Sequence, residues 1–342
     1  MILAEQNADQ KIMDQNTDSN SGLLFYGLLF IEEGEKHTNL KGAGDSILVY
    51  LLCGALLNKS LKHYGHEFAI VTNSPEALTR RIETNGIGLN VTEIPFSTVV
   101  PSTLNFRSAH RKIDLISACG RGEMGPRPGI LDLDMMMLRQ LPALLSSSDS
   151  LVGYNIWDQV APAYGPQRVR NDVAKVSGIS AETLEEWWGG EFLVGPKERF
   201  ADLSREIELV YPRYLEIADS LHHQGDEIVV TAALHRLSKT AERQDENIIV
   251  DGGKLEAIGR WWSTRTLSRI DPLTKFAARS ILHLPADKAI LSALSKSDLA
   301  FPAVIPELLK SLRKKSRLRR YLAPLNPLIS HYSGQRRYSP RI

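Results

Sequence analysis

Asp132 and Asp134 stand one residue apart inside the otherwise apolar run Gly129-Ile130-Leu131-Asp132-Leu133-Asp134-Met135-Met136-Met137-Leu138. A run of this kind, entered through the breaker Pro126 to Gly129, predicts a buried strand, because strands covered on both faces are almost continuously hydrophobic. Residues two apart in an extended chain share a face at a spacing of about 6.6 Å, so the two carboxylates are expected on one side of the strand. Burying such a pair bare is costly. A divalent cation at the carboxyl end of the strand offsets both desolvation and mutual repulsion, and oxygen ligands favour manganese or magnesium. The plain alternative is a solvated strand end.

The elements that must position this pair are read from the punctuation around it. Leu23 to Ile31 predicts a first buried strand, and Asp45 or Ser46 caps a helix that stops at Gly65. Glu67 to Thr72 is a second strand, followed by a helix with Pro75 at its first position. Asn90 to Phe96 gives a third strand, Ser108 to Cys119 a helix, and the strand bearing Asp132 comes fourth. This alternation predicts a mainly parallel, three-layer α/β sheet with its ligands at the carboxyl edge. Downstream, Ser150 to Ile156 is a strand, and Val160 to Ser180 is expected to be irregular before a helix from Ala181. Glu191 to Val194 is a strand, Phe200 to His222 a helix kinked at Pro212, and Asp226 and Glu227 open another. Asn247 to Val250 and Ile258 to Trp262 are expected as two strands of a small added sheet.

At 342 residues the chain is long enough for a large core, and 43% hydrophobic with 24% charged residues is ordinary for a globular protein, which excludes disordered and membrane-spanning classes. Cys53 and Cys119 cannot form a disulfide framework and are read as core thiols in a reducing cytosol. The polar first 21 residues lack the pattern of a signal peptide and are expected to be a disordered tail. The longest apolar runs fall short of the roughly 20 residues needed to cross a bilayer.

An acid pair of this kind serves two chemistries. In haloacid-dehalogenase-like phosphatases the first acid, here Asp132, is a nucleophile, but Met136 stands where a Thr or Val is usual and about 130 residues precede the motif. In sugar transfer from a nucleotide diphosphate, the pair and a metal clamp the pyrophosphate and stabilise charge on the leaving phosphate. From about Leu23 to Leu291 the sequence resembles the type A glycosyltransferases, most nearly the glycogenin-like group. Phe106-Arg107-Ser108-Ala109-His110-Arg111-Lys112-Ile113 resembles the helix before the metal strand, and Ile130 to Met135 resembles the metal strand itself. Gly189-Gly190-Glu191-Phe192-Leu193-Val194-Gly195 looks like the strand lining the acceptor side, although the family's Asn-x-Gly reads Gly190-Glu191-Phe192. His223-Gln224-Gly225-Asp226-Glu227 resembles the acidic helix start near the anomeric carbon, and His283-Leu284-Pro285-Ala286-Asp287-Lys288 the late segment that completes the metal shell and holds the diphosphate.

The resemblance implies a three-layer, mainly parallel nucleotide-diphospho-sugar transferase-like fold with a small additional sheet and C-terminal helices. It spans 22–300, with a basic helical extension over 301–342. It implies manganese or magnesium on Asp132, Asp134 and His283, and a donor, most readily a UDP-sugar, against Thr72, Asn73, Arg107, Arg111, Lys112, Leu133 and Lys288. Asp226 and Glu227 would face the reacting carbon. The acceptor, saccharide, lipid or protein, stays open, as does the stereochemical outcome.

Each of these residues has a plainer reading. His283 as a satisfied core histidine, Lys288 as a surface lysine, Thr72 and Asn73 as turn formers, and Asp226 and Glu227 as a helix N-terminal acid pair all need no chemistry. The tandem tryptophans Trp187-Trp188 and Trp261-Trp262 are read chiefly as core, with sugar stacking the sharper alternative. A nucleotide-sugar-binding protein without turnover is a third class.

The net charge of +1 hides an asymmetry, since ten Lys or Arg and a single acid lie from Ile305 onward. Glu307 to Leu325 predicts a basic, partly amphipathic helix, solvated or drawn to anionic headgroups. A single basic tail without interleaved aromatics argues against nucleic acid. The expected location is cytoplasmic, with peripheral contact at the inner face of a membrane as the sharper alternative.

Overall fold

A computed structural model describes residues 23–32, 45–242, 248–262 and 278–322; the expected N-terminal tail lies outside them, as does most of the far C-terminus. Two sheets organise the chain. The larger has seven strands in the order β3-β2-β1-β4-β7-β6-β8: Asn90–Glu93, Glu67–Thr72, Leu24–Leu28, Pro128–Leu131, Trp188–Val194, Leu151–Asn155 and Ile249–Asp251. The first four run parallel, and β7 is antiparallel to both of its neighbours. The smaller sheet has three strands, β5 (Met135–Met137), β10 (Ile281–His283) and β9 (Ile258–Arg260), with β10 antiparallel to β5 and parallel to β9. The architecture is therefore the expected α/β one, with a mainly parallel sheet and a small second sheet.

The helix α1 (Ser46–His63) is capped by Asp45, whose carboxylate accepts from Leu48 N–H. It packs on two sides. Leu51, Leu57 and Leu61 join the main core, while Cys53 and Leu56 join a second cluster with Met136, Leu282, Leu291, Leu308 and Leu312. That second cluster covers the small sheet and is closed by α10 (Lys288–Ser295) and α11 (Val304–Leu322), so the basic C-terminal helix is packed into the fold through one face. Cys53 and Cys119 are both buried and unpaired.

Several expectations change. The strand bearing the acids is broken: β4 ends at Leu131, Asp132 to Asp134 form a turn, and β5 starts at Met135 in the other sheet. The helix expected over Ser108 to Cys119 is split at Arg111 into α3 (Arg107–His110) and α4 (Lys112–Gly120). The segment expected to be irregular forms α6 (Trp157–Tyr164) and α7 (Pro166–Ser177), following the short α5 (Leu144–Ser147). Gly165, at φ 90°, separates α6 from α7, and Pro166 starts the second without needing a donor. No helix forms at Ala181; the chain is irregular there until β7. The helix α8 (Lys197–Ile217) passes Pro212 unbroken because Pro212 and Glu208, the carbonyl it deprives of a partner, lie on the exposed face. Ile249–Asp251 pairs with β6 in the large sheet, so only Ile258–Arg260 belongs to the added one. Among the described residues no helix is long and apolar enough to cross a membrane.

Candidate cation site at the seam of the two sheets

The turn Asp132-Leu133-Asp134 joins the carboxyl end of β4 to the small sheet, and its middle residue anchors it. Leu133 is buried against β1 and α1, at a place where Gly27 leaves room; a Cβ on Gly27 would lie 2.5 Å from its Cδ2. With Leu133 held inward, both acids converge on His283, the last residue of β10. Asp132, Asp134 and His283 each offer one ligand atom within 4.8 Å of the others. His283 Nε2 lies 3.2 Å from Asp134 Oδ1 and 3.8 Å from Asp132 Oδ2, yet this buried nitrogen makes no directed hydrogen bond. A nitrogen facing two carboxylate oxygens in this way could join them in holding a divalent cation.

Charged residues enclose the cluster. Lys112 opens α4 and sits 3.0 Å from Asp132 Oδ1 and 3.2 Å from Asp226 Oδ2. Burial works against its charge, but the two acids outweigh it and raise its pKa. Lys288, at the start of α10, pairs with Asp134 Oδ2 and donates to Pro285 O at 2.9 Å, with its ammonium 5.5 Å from the Tyr50 ring centre. Burial would raise the Asp134 carboxyl, yet Lys288 and His283 hold it far below the usual range. Burial likewise disfavours an imidazolium at His283, but Asp134 and Glu191 push its pKa up to about 9.

A further layer runs through Glu191 and Arg260. Glu191 Oε1 lies 3.3 Å from His283 Nδ1 and 3.5 Å from Arg260 Nη1, while Arg260 Nη2 is 3.7 Å from Glu227 Oε1. Trp187 Nε1 donates to Glu227 Oε2 at 3.0 Å, and Arg260 lies over the Trp262 ring at 5.2 Å. Around the three candidate ligands, five carboxylates (Asp132, Asp134, Glu191, Asp226 and Glu227) thus face three permanent cations, Lys112, Arg260 and Lys288. With His283 neutral, the cluster is short by the charge of one divalent ion.

The residues named from sequence divide into two groups. Asp132, Asp134, His283, Lys288, Lys112 and Asp226 meet directly, and Glu227 stands one step away behind Arg260. The side chain of Leu133, expected against the donor, is instead buried beneath the turn, whereas Thr72, Asn73, Arg107 and Arg111 gather round the carboxyl ends of β1 and β2. There Asn73 clamps the backbone of Ile31 with bonds of 2.8 and 3.0 Å, and buried Thr72 accepts from Ser74 N–H. Arg107 pairs with Glu32 at 2.8 Å, and Arg111 lies 4.7 Å over the Phe30 ring while donating to Thr98 O. Because β1 runs parallel beside β4, both groups occupy one edge of the large sheet.

Arg260 was not legible in the sequence, and Glu191 showed there only as a departure from a pattern. The available signals were a lone acid in a strand buried throughout, directly after two glycines, and an arginine directly before two tryptophans.

Fold and site define an α/β protein whose mainly parallel sheet carries an acid–acid–histidine cluster at its carboxyl edge. No protein-family model matches the chain, and no curated protein matches it. Among solved structures, the galactosyltransferase LgtC in complex with donor and acceptor sugar analogues is similar over 81% of this chain and 98% of that one, with 12% identity and a TM-score of 0.46.

Proposed function

We propose that this chain transfers a sugar from a nucleotide-diphosphate donor, a UDP-sugar, to an acceptor, using a divalent cation held by Asp132, Asp134 and His283. The observation that carries the reading is the convergence of these three on one point, with His283 Nε2 buried and outside hydrogen-bond geometry, and with a cluster charge short by two once His283 is neutral. A bound cation would supply positive charge against the donor diphosphate as the leaving phosphate develops. Lys112 and Lys288 flank the acids, and in this reading they would take diphosphate oxygens. Asp226 shares Lys112 with Asp132, which holds a carboxylate close to the same centre. The Gly189-Gly190 pair leaves room there, since a Cβ on Gly190 would lie 2.5 Å from Asp226 Oδ2. Arg111, Phe30 and Asn73 form the end of the same sheet edge at which a nucleoside would lie.

The test is hydrolysis of a nucleotide sugar with and without manganese. Asp134→Asn is the direct variant, but it strips Lys288 of a buried partner. Asp132→Asn is milder, because Lys112 keeps Asp226 and the Asp132 side chain is 36% exposed. Both substitutions are expected to lower manganese-stimulated turnover by roughly a hundredfold or more, the scale of losing one preorganised electrostatic contact. Folded Asp132→Asn protein turning over at the unaltered rate would sink the reading. An aspartyl-phosphate trapped at Asp132 would replace it with phosphatase chemistry.

A further inference from the structure

We infer that Glu191 is a positioning residue of the cation site: its carboxylate fixes the ring of His283, and its backbone carbonyl fixes Asp132. The inference rests on the cation reading above and adds the residue that holds two of its three ligands. Glu191 Oε1 faces His283 Nδ1 at 3.3 Å, on the side of the ring away from the acids. An acceptor there keeps the proton on Nδ1, so that a cation displacing the proton of Nε2 meets a lone pair directed at the point where Asp132 and Asp134 converge, the arrangement by which outer carboxylates orient metal-binding histidines. The carbonyl of the same residue accepts from Asp132 N–H at 3.1 Å, at the point where β4 ends and the turn begins.

The local sequence makes room for this carboxylate. A Cβ on Gly189 would lie 1.9 Å from Glu191 Oε2, so a side chain there would drive the carboxylate out of place. Arg260 approaches the shared oxygen to 3.5 Å and supplies the compensating charge. The rival explanation is that Glu191 serves only to balance Arg260. The two differ in whether its effect passes through His283.

The experiment measures Mn2+ binding alone, at one fixed pH, to the full chain after removal of metal. Glu191→Gln is expected to weaken Mn2+ by about 10- to 100-fold, as loss of an outer carboxylate does elsewhere. In a His283→Ala background the same change should cost less than about threefold, because the effect has nothing left to act through. Gly189→Ala retains every charge and should mimic Glu191→Gln. The 14N coupling in the Mn2+ electron paramagnetic resonance spectrum should vanish in His283→Ala and diminish in Glu191→Gln and Gly189→Ala. Unchanged affinity in both Glu191→Gln and Gly189→Ala, or an equal loss from Glu191→Gln with and without His283, would overturn the inference while leaving the cation site standing. A wild-type chain that takes up no Mn2+, or a His283→Ala variant that binds it as well as wild type, would overturn the cation site itself and the inference with it.

Discussion

His283 carries a proton that a cation would have to displace. Burial alone would push this imidazole below its ordinary value of 6.5, yet Asp134 and Glu191 lift it to about 9. Because the folded value is the higher one, the contribution of this histidine to the stability of the metal-free chain is complete below pH 6.5 and is lost as pH rises through about 9. Cation binding runs the other way, since Nε2 must be free of its proton. Mn2+ affinity is therefore expected to rise by about tenfold for each pH unit below the His283 pKa and to level off above it. His283→Ala should bind weakly with a flattened profile, and titrations at three pH values between about 6.5 and 8.5 check both slopes. A wild-type profile flat over that range would mean that His283 is not a ligand.

The turn between β4 and β5 turns these residues into a site, and Leu133 is its anchor. Truncating it as Leu133→Ala should cost about 2–5 kcal/mol by denaturant unfolding, because the buried side chain fills the space that Gly27 leaves open. A loss in cation affinity should accompany it, since the inward leucine is what turns both acids outward. This turn was illegible in the sequence for a physical reason. The apolar run from Gly129 to Leu138 continues from one buried sheet into another, with no Gly or Pro at the junction to mark it. The elements from β1 to β3 were legible because Asp45, Gly65 and Pro75 punctuate them. The helices over 157–177 were obscured because Pro166 reads as a breaker while in fact it begins a helix, with Val169, Val173 and Val176 buried at helical spacing. The acid pair and its histidine were legible as residue types in order. The Glu191–Arg260–Glu227 layer was not, because it joins residues from three separate elements. The helix α11 also makes its prediction at this scale. Leu308 and Leu312 face inward, while Arg313, Lys314, Arg317 and Leu318 are exposed. We propose that this outer face meets anionic headgroups, each cation contributing about 1 kcal/mol near such a surface. The chain should sediment with phosphatidylserine vesicles at low salt but not with neutral ones, and Lys314→Glu with Arg317→Glu should release it.

In the molecule as a whole, the candidate site draws its residues from both sheets. Asp132 leaves the large sheet, and Glu191 and Asp226 belong to it or to the helix α9 (Asp226–Glu242) that covers it. His283 and Arg260 come from the small sheet, and Lys288 from the helix that follows. The small sheet has its own apolar cluster, shared with α1 and α11, so the two halves meet partly through apolar packing and partly through this buried charge. A ligand bound at the seam touches both halves and should stabilise them together. At a hundred times its dissociation constant, Mn2+ is expected to add about 2.7 kcal/mol to folding, a rise of a few degrees in Tm for a chain of this size. A nucleotide sugar should then add a second, separate rise, larger for the uridine diphosphate sugars than for guanosine ones. The proposed site would grip the diphosphate jointly through cation and lysines, so that second rise should shrink sharply in excess chelator. A donor that stabilises the chain equally with and without Mn2+ would be held by the lysines and the β1 edge alone, and the acid–acid–histidine cluster would then have to serve some other end.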